Sequence, residues 1–352
     1  MELKIIIDYL IISIMASLAI NSILRNFAKE KKLLVDIPDR SRKFHHRPTP
    51  LTGGIGILLA TFISAEIFLD LNNLRGYVPE FTYNLYLCSI PLLIFFLIDD
   101  FKTLRPIYRI SIQIILSLYM VYSTDVYLNN FGNLFGFGDI KFGIYSIPIT
   151  VFCVVGIMNA YNMIDGINGL CAGSAIMALL FIGFSSGLMY DSMLILIIGS
   201  MIGFLIFNLT FFGKKRGVFL GDSGSNLIGF WVAWCAIYAS QNTFYQVEPI
   251  TMLWFVSIPL LDCIGLIFSR FSKGVGIASA GRDHIHHKLM LNYSPGETLS
   301  IILIVSFFTG IFGVYLNNNF SPWVSTYLFM LFAAIYYLYA YGFENIKKKF
   351  IN

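Results

Sequence analysis

Eleven runs of mostly apolar residues, each near the ~20 needed to cross a bilayer as a helix, leave this chain few possible folds. They cover approximately residues 5–24, 51–70, 83–98, 107–124, 143–160, 170–187, 192–212, 218–239, 251–270, 298–316 and 323–342. In hydrocarbon every backbone N–H and C=O must find its partner within protein, which a helix achieves by itself. The expected fold is all-α: a polytopic helical bundle with about 11 transmembrane helices, forming a single integral membrane domain over 1–352. Composition agrees, with 57% hydrophobic and only 12% charged residues against about 25% charged in an ordinary soluble domain. The first run follows Met1-Glu-Leu-Lys4 without a strongly basic start or a small-residue cleavage site, so it is expected to be retained as a span. The five cysteines lie in or beside apolar segments and form no CxxC pair, which fits small buried hydrophobes better than disulfides or zinc.

Basic residues orient the bundle. All but three of the 24 Lys and Arg fall in five segments, the exceptions being Lys4, Arg75 and Lys141. The five are the first loop, the loop after the third run, 214–216, 270–288 and the tail at 347–349. By the positive-inside rule these are cytoplasmic, which places the N-terminus outside and the C-terminus in the cytoplasm. The opposite loops carry few charges and no histidine. No P-loop or GxGxxG occurs, so a nucleotide would not be held by a standard soluble fold, and no nucleic-acid partner is expected.

Polar motifs gather on that same cytoplasmic face. NAYNMIDGINGL at 159–170 interrupts the apolar sequence with three amides and a carboxylate in ten residues, groups that hydrocarbon cannot satisfy. Asn162, Asp165 and Asn168 recur every three residues, and Gly166 and Gly169 let the backbone turn or approach a ligand. A self-capped helix end is the plain alternative; so many polar groups with two glycines favour a site.

At the end of the third run, Asp99 and Asp100 stand side by side. Two acids at the negative end of a helix dipole repel each other, so a divalent metal or a bound proton is expected to relieve them, the plain alternative being a helix end partly balanced by Lys102 and Arg105. FLGDSGSN at 219–226 sets Asp222 between glycines and hydroxyls, an arrangement suited to Mg²⁺, which takes one or two carboxylates and fills its shell with water and phosphate oxygens. Asp262, inside the ninth run, ranks lower and could simply pair with a basic residue. In the first loop, His45, His46 and the Thr52-Gly-Gly54 that follows read equally as part of a lipid-headgroup patch or as a phosphate contact. The last cytoplasmic loop, GRDHIHHK at 281–288, places His284, His286 and His287 beside Arg282 and Lys288. Without a nearby cysteine or fourth ligand, that set fits diphosphate better than zinc.

In this order, DD, NAxNMIDGxxGL, FLGDSGSN and RxHIHHxL resemble the polyprenyl-phosphate N-acetylhexosamine-1-phosphate transferases, over about residues 36–290. HIHH looks like the branch making undecaprenyl-diphosphate-GlcNAc for O-antigen, enterobacterial common antigen or teichoic acid. The resemblance implies that Asp222 and Asn162 hold Mg²⁺, with Mn²⁺ as a substitute. It implies that Asp99 acts on the lipid phosphate and belongs, with Asp100 and Asp165, to the catalytic carboxylates. Asp165 and Asn168 would shape the uridine side, while Arg282, His284, His286, His287 and His46 would contact substrate. Two departures stand out: Thr103 occupies the fifth position of a motif that is often DDxxD or DDxxN, and many bacterial relatives have Asp where Asn168 stands.

The implied reaction is attack by an undecaprenyl-phosphate oxygen on the β-phosphorus of a UDP-N-acetylhexosamine, releasing UMP at the cytoplasmic face of a bacterial plasma membrane. Its partners are those two substrates, and a homodimer is the assembly it allows. One diphosphate bond replaces another, so catalysis would rest on positioning and charge neutralisation. A secondary transporter is the rival class, but its acids would lie at the midplane between repeated halves, and no repeat is evident. The CDP-alcohol phosphotransferases are a third; their Asp-Gly is followed by Ala-Arg, whereas Asp165-Gly166 is followed by Ile-Asn.

Overall fold

Each of the eleven apolar runs forms helix in the computed structural model, which describes residues 3–38, 47–71, 78–188, 192–242, 247–274, 276, 281 and 283–342. The long helices are α1 (Leu3–Lys31), α2 (Gly53–Leu71), α3 (Glu80–Phe101), α4 (Pro106–Thr124), α5 (Ser146–Ile164), α6 (Leu170–Ser186), α7 (Ser192–Asn208) and α8 (Gly221–Gln241). After them come α9 (Pro249–Phe255), α10 (Ser257–Ser272), the short α11 (Ile285–Leu289), α12 (Pro295–Asn319) and α13 (Pro322–Tyr337). Strand among the described residues is limited to one antiparallel pair, β1 (Val35–Asp36) with β2 (Thr49–Pro50). Six helices are long and apolar enough to cross a membrane, or seven if the α9–α10 pair counts as one span. The fold is that of an all-α, multi-pass membrane protein.

The run expected at 251–270 is not one straight helix. It bends by 85° between α9 and α10. Pro259 explains the break: it has no N–H to donate to the carbonyl of Phe255, and its ring would collide with that carbonyl in a continuous helix. Proline is tolerated in the first turn of the new helix, where it now sits.

Residues 1–125 and 187–231 form one compact unit. Within it α1 packs on α2 and α7. Gly199 and Gly203 of α7 lie one turn apart and permit that approach. A Cβ on Gly203 would stand 2.6 Å from the Ser17 Cβ, and one on Gly199 would run into the Ser13 hydroxyl. The Ser17 hydroxyl then donates to the Ser200 carbonyl at 2.6 Å, which satisfies a polar group in an apolar setting.

The Thr-Gly-Gly entering α2 finds its explanation in the same unit. Gly53 N–H and Gly54 N–H donate to the carbonyls of Phe219 (3.0 Å) and Leu220 (3.2 Å). A Cβ on Gly54 would sit 2.6 Å from the Gly224 nitrogen. These glycines bring the start of α2 against the start of α8.

Residues 126–186 and 232–352 form the second unit. There α10 packs on α5, and α12 packs on α6 and α9. Trp254 anchors the latter group: its ring meets those of Phe312, Phe329 and Phe332, and its indole N–H donates to the Ser325 hydroxyl at 3.0 Å. Ser294 and Glu297 close a capping box at the start of α12, with Pro295 at its first position. Beyond α13 the backbone widens into a π-helical turn over Leu338–Gly342, which carries Tyr341 inward.

Candidate active site

The first cluster is built where α3 ends. Asp99 is buried; its Oδ1 accepts from Leu104 N–H (2.7 Å), and its Oδ2 pairs with Arg109 Nε (2.8 Å). Arg109 reaches it from the first turn of α4, which Pro106 starts by holding Arg105 extended. Asp100 turns the other way. Its two oxygens accept from the backbone N–H groups of Asp222 (2.8 Å) and Ser223 (3.2 Å), the open amides at the start of α8. Asp100 therefore caps a helix distant in sequence, at that helix's positive end. Gly221 makes this possible with φ +78° and no Cβ, which would otherwise stand 2.8 Å from Asp100 Oδ2.

Asp222 lies beside this junction with its side chain 41% exposed, 3.4 Å from Arg109 Nη1. Its backbone carbonyl accepts from the Asn226 amide (2.9 Å), whose oxygen in turn accepts from Gln113 (2.7 Å). The first turn of α8 is thus braced from α4. Asp99 and Asp222 share one guanidinium and Asp100 stands beside them, so the cluster of three carboxylates keeps a formal excess of negative charge. Asp222 is the carboxylate that can meet an outside cation. Among the described residues no three His, Cys, Asp or Glu side chains form an enclosing metal cage. The donor set fits an ion such as Mg²⁺ that keeps most of its water and takes substrate oxygens.

The second cluster begins where α5 stops. Asn162 is half-buried in its last turn, and Asp165 is exposed at its C-terminal cap. The chain then turns through Gly166, Ile167 and an exposed Asn168, and Gly169 (φ +85°) leads into α6. His286 packs directly on Gly166, where any Cβ would collide with its Nε2. The His286 ring is fully buried, and neither of its nitrogens has a hydrogen-bond partner among the described residues. Burial, reinforced by neighbouring His287, pushes its pKa down to about 3, so the ring is neutral at physiological pH. His284 stacks on it, with centroids 5.4 Å apart and planes 12° apart. The half-buried His287 ring is 4.1 Å from that of His286.

Of the residues expected at a site, Asp99, Asp100 and Asp222 thus come together in the first unit. Asn162, Asp165 and Asn168 share the α5–α6 turn in the second, with His286 against it. Arg282 and His46 lie outside the described residues. The Asp99 side chain is wholly buried, with Oδ1 hydrogen-bonded to Leu104 N–H and Oδ2 ion-paired with Arg109. Arg109 itself went unnoticed as more than a topological charge. The available signal was an arginine in the first turn of a proline-started helix just after an acid pair. Asp262 was underrated as well, although an ionisable residue inside a span is a functional candidate by default. It pairs with His284 Nδ1 at 2.8 Å.

Comparison with known proteins agrees with this motif set. Residues 82–240 match the family described as glycosyl transferase family 4. The undecaprenyl-phosphate alpha-N-acetylglucosaminyl 1-phosphate transferase of Escherichia coli K12 is 31% identical over 325 residues, covering 90% of this chain and 85% of that protein. The proteins of the same name from Yersinia pestis and Haemophilus influenzae are 32% and 34% identical, covering 86% and 89% of this chain and 83% and 87% of their own length. Similarity of this extent runs through both units and all the motifs, and the chain belongs to the polyprenyl-phosphate N-acetylhexosamine-1-phosphate transferase family.

Proposed function

We propose that this protein transfers N-acetylglucosamine 1-phosphate from UDP-N-acetylglucosamine to undecaprenyl phosphate, forming undecaprenyl-diphosphate-N-acetylglucosamine and UMP. The observation that carries the reading is the pairing of Asp222 with Arg109 at the end of an apolar helix. An accessible carboxylate and a guanidinium with donors to spare suit a phosphoryl transfer between a lipid in the bilayer and an anion from the cytosol. Family membership supplies the sugar and the lipid.

The lipid phosphate is a monoester whose second pKa is near ~6, so it is largely dianionic at pH 7 and needs no strong base. One of its oxygens attacks the β-phosphorus; a P–O bond forms there as the bond to the UMP oxygen breaks. Arg109, steered by buried Asp99, donates to a phosphate oxygen near the reacting centre. Asp99 works through the arginine and is a positioning residue. Asp100 keeps the start of α8 in place. Asp222 would hold Mg²⁺ (or Mn²⁺), and the resemblance adds Asn162 as a ligand. Bound there, the ion would supply positive charge to offset that of the diphosphate and the leaving UMP. The turn at 165–168, with His284, His287, Arg282 and His46, recognises the UDP-sugar, and His286 supports that turn from beneath.

The same reading gives eleven spans, counting α9 with α10 as one, with the N-terminus outside and the site on the cytoplasmic face of the bacterial inner membrane. Reporter fusions at Asn352 and near Asn319 should then report opposite sides; the same side for both would break this topology. Activity is tested with purified protein, undecaprenyl phosphate and a panel of UDP-sugars, reading UMP. UMP release should require both lipid and divalent metal, and UDP-N-acetylglucosamine should be the best donor. Stoichiometric UMP release without lipid, leaving labelled sugar phosphate on the protein, would replace direct attack by a covalent route.

A further inference from the structure

Asp262, near the middle of α10, is 1% exposed, and four donors converge on its carboxylate. Oδ2 meets His284 Nδ1 at 2.8 Å. Oδ1 accepts from Ile285 N–H (2.9 Å), the Tyr341 hydroxyl (2.7 Å) and the Tyr336 hydroxyl (3.3 Å). A carboxylate only accepts, and here Oδ1 takes three donors while Oδ2 takes His284 alone. The contact with His284 therefore requires the imidazole proton on Nδ1. The other ring nitrogen, Nε2, has no hydrogen bond among the described residues.

The network joins three parts of the second unit. Through Ile285 and His284 it holds the start of α11, and the His284 ring lies against His286, which packs on Gly166 of the α5–α6 turn. Through Tyr336 and Tyr341 it holds the end of the last helix and its π-turn. Lys288 closes the same corner, donating to the Ala340 carbonyl and lying 4.4 Å from the Tyr341 ring centroid.

We propose that Asp262 is the positioning residue of the histidine segment: it fixes His284 in the Nδ1–H form, so that Nε2 is the ring atom offered to the UDP-sugar. This rests on the transfer reaction proposed above. The arrangement follows the logic of a buried aspartate orienting a working histidine, where the wrong tautomer costs turnover even when the fold is kept.

Asp262→Asn tests it. An amide of the same size can present its NH₂ to Nδ1, which favours the opposite tautomer. We expect kcat to fall on the order of 10²-fold, with the KM for UDP-sugar little changed and the melting temperature kept within a few degrees. Tyr341→Phe removes one donor yet leaves the His284 proton where it was; it should lower the melting temperature more than kcat. Adding Asp262→Asn to His284→Ala should cost nothing further. Nitrogen-15 NMR of histidine-labelled wild-type protein should find His284 protonated at Nδ1, a measurement that needs neither variant nor turnover. Four results would overturn the proposal: an Nε2–H tautomer in the wild type, unchanged kcat in Asp262→Asn, an equal further loss in the His284→Ala background, or parallel loss of kcat and stability in both Asp262→Asn and Tyr341→Phe. Should the wild type release no UMP from any UDP-sugar, the transfer reaction fails, while the NMR result still decides the Asp262–His284 arrangement.

Discussion

Asp222 and Asp262 are the same side chain in an apolar helical protein, yet their surroundings assign them opposite work. Asp222 opens α8 with 41% of its side chain exposed and a guanidinium at 3.4 Å. Asp262 is closed off, with four donors on two oxygens. Each isolated buried carboxylate would cost several kcal/mol, so the second must be partnered to exist at all. Buried and held by four protein donors, it is closed to outside ligands and serves as scaffold. The first keeps negative charge that an incoming cation can use. Exposure, more than residue type, separates the two carboxylates.

The sharpest way to break this contrast is Asp222→Ala. Metal-dependent UMP release should drop by at least ~10³-fold, as expected when a ligand of a charge-neutralising metal is lost, with membrane insertion intact. Retained turnover in correctly inserted protein would erase the distinction. Arg109→Met comes next, with a loss on the order of 10²-fold from removing a charge-assisted donor and uncovering buried Asp99. Arg109→Lys should recover part of it, and full activity in Arg109→Met would show the pair to be structural only.

On the supporting side, Gly166→Ala forces a methyl into the His286 ring. We expect roughly a tenfold loss of kcat/KM, in the range of a small misplacement of a substrate-positioning turn. Because the cause is steric, Gly166→Ala combined with His286→Ala should be more active than Gly166→Ala alone. A combined variant no better than the single one would mean that the packing does not matter.

The smallest effect concerns stability. The folded pKa of His286 lies near 3, below the 6.5 of an unperturbed histidine. Between those values the unfolded chain binds a proton that the folded chain refuses. This contribution is fully present above about pH 6.5 and declines as pH falls toward 3, with a slope of at most ~1.4 kcal/mol per pH unit. Unfolding followed across that window should lose one proton of pH dependence in His286→Gln. An identical slope in variant and wild type would contradict a buried neutral ring.

Much of the site was legible because hydrocarbon makes polar residues conspicuous. The amides and acid of 159–170, the acid pair at 99–100 and Asp222 each stood out against apolar neighbours. Their neighbourhoods were hidden, since they are set by residues far along the chain. The acid pair looked locally unfavourable at the end of α3. It is accommodated because Arg109 meets Asp99 and the open amides of α8, more than 120 residues away, meet Asp100. No helix-dipole argument confined to α3 contains those partners.

The sequence by itself determined the elements: eleven apolar runs near the length of a spanning helix became helices, which satisfy their own backbone in lipid, and Pro259 explains the break between α9 and α10. The motifs also determined the family, since chemistry on diphosphates demands those residue types near one another. Only the tertiary structure decided which carboxylate is buried and which is exposed. It also set Gly53 and Gly54 against the start of α8 and His286 under Gly166. The physical reason is that hydrogen bonding and burial are properties of a neighbourhood, and in a helical bundle neighbours come from distant parts of the chain.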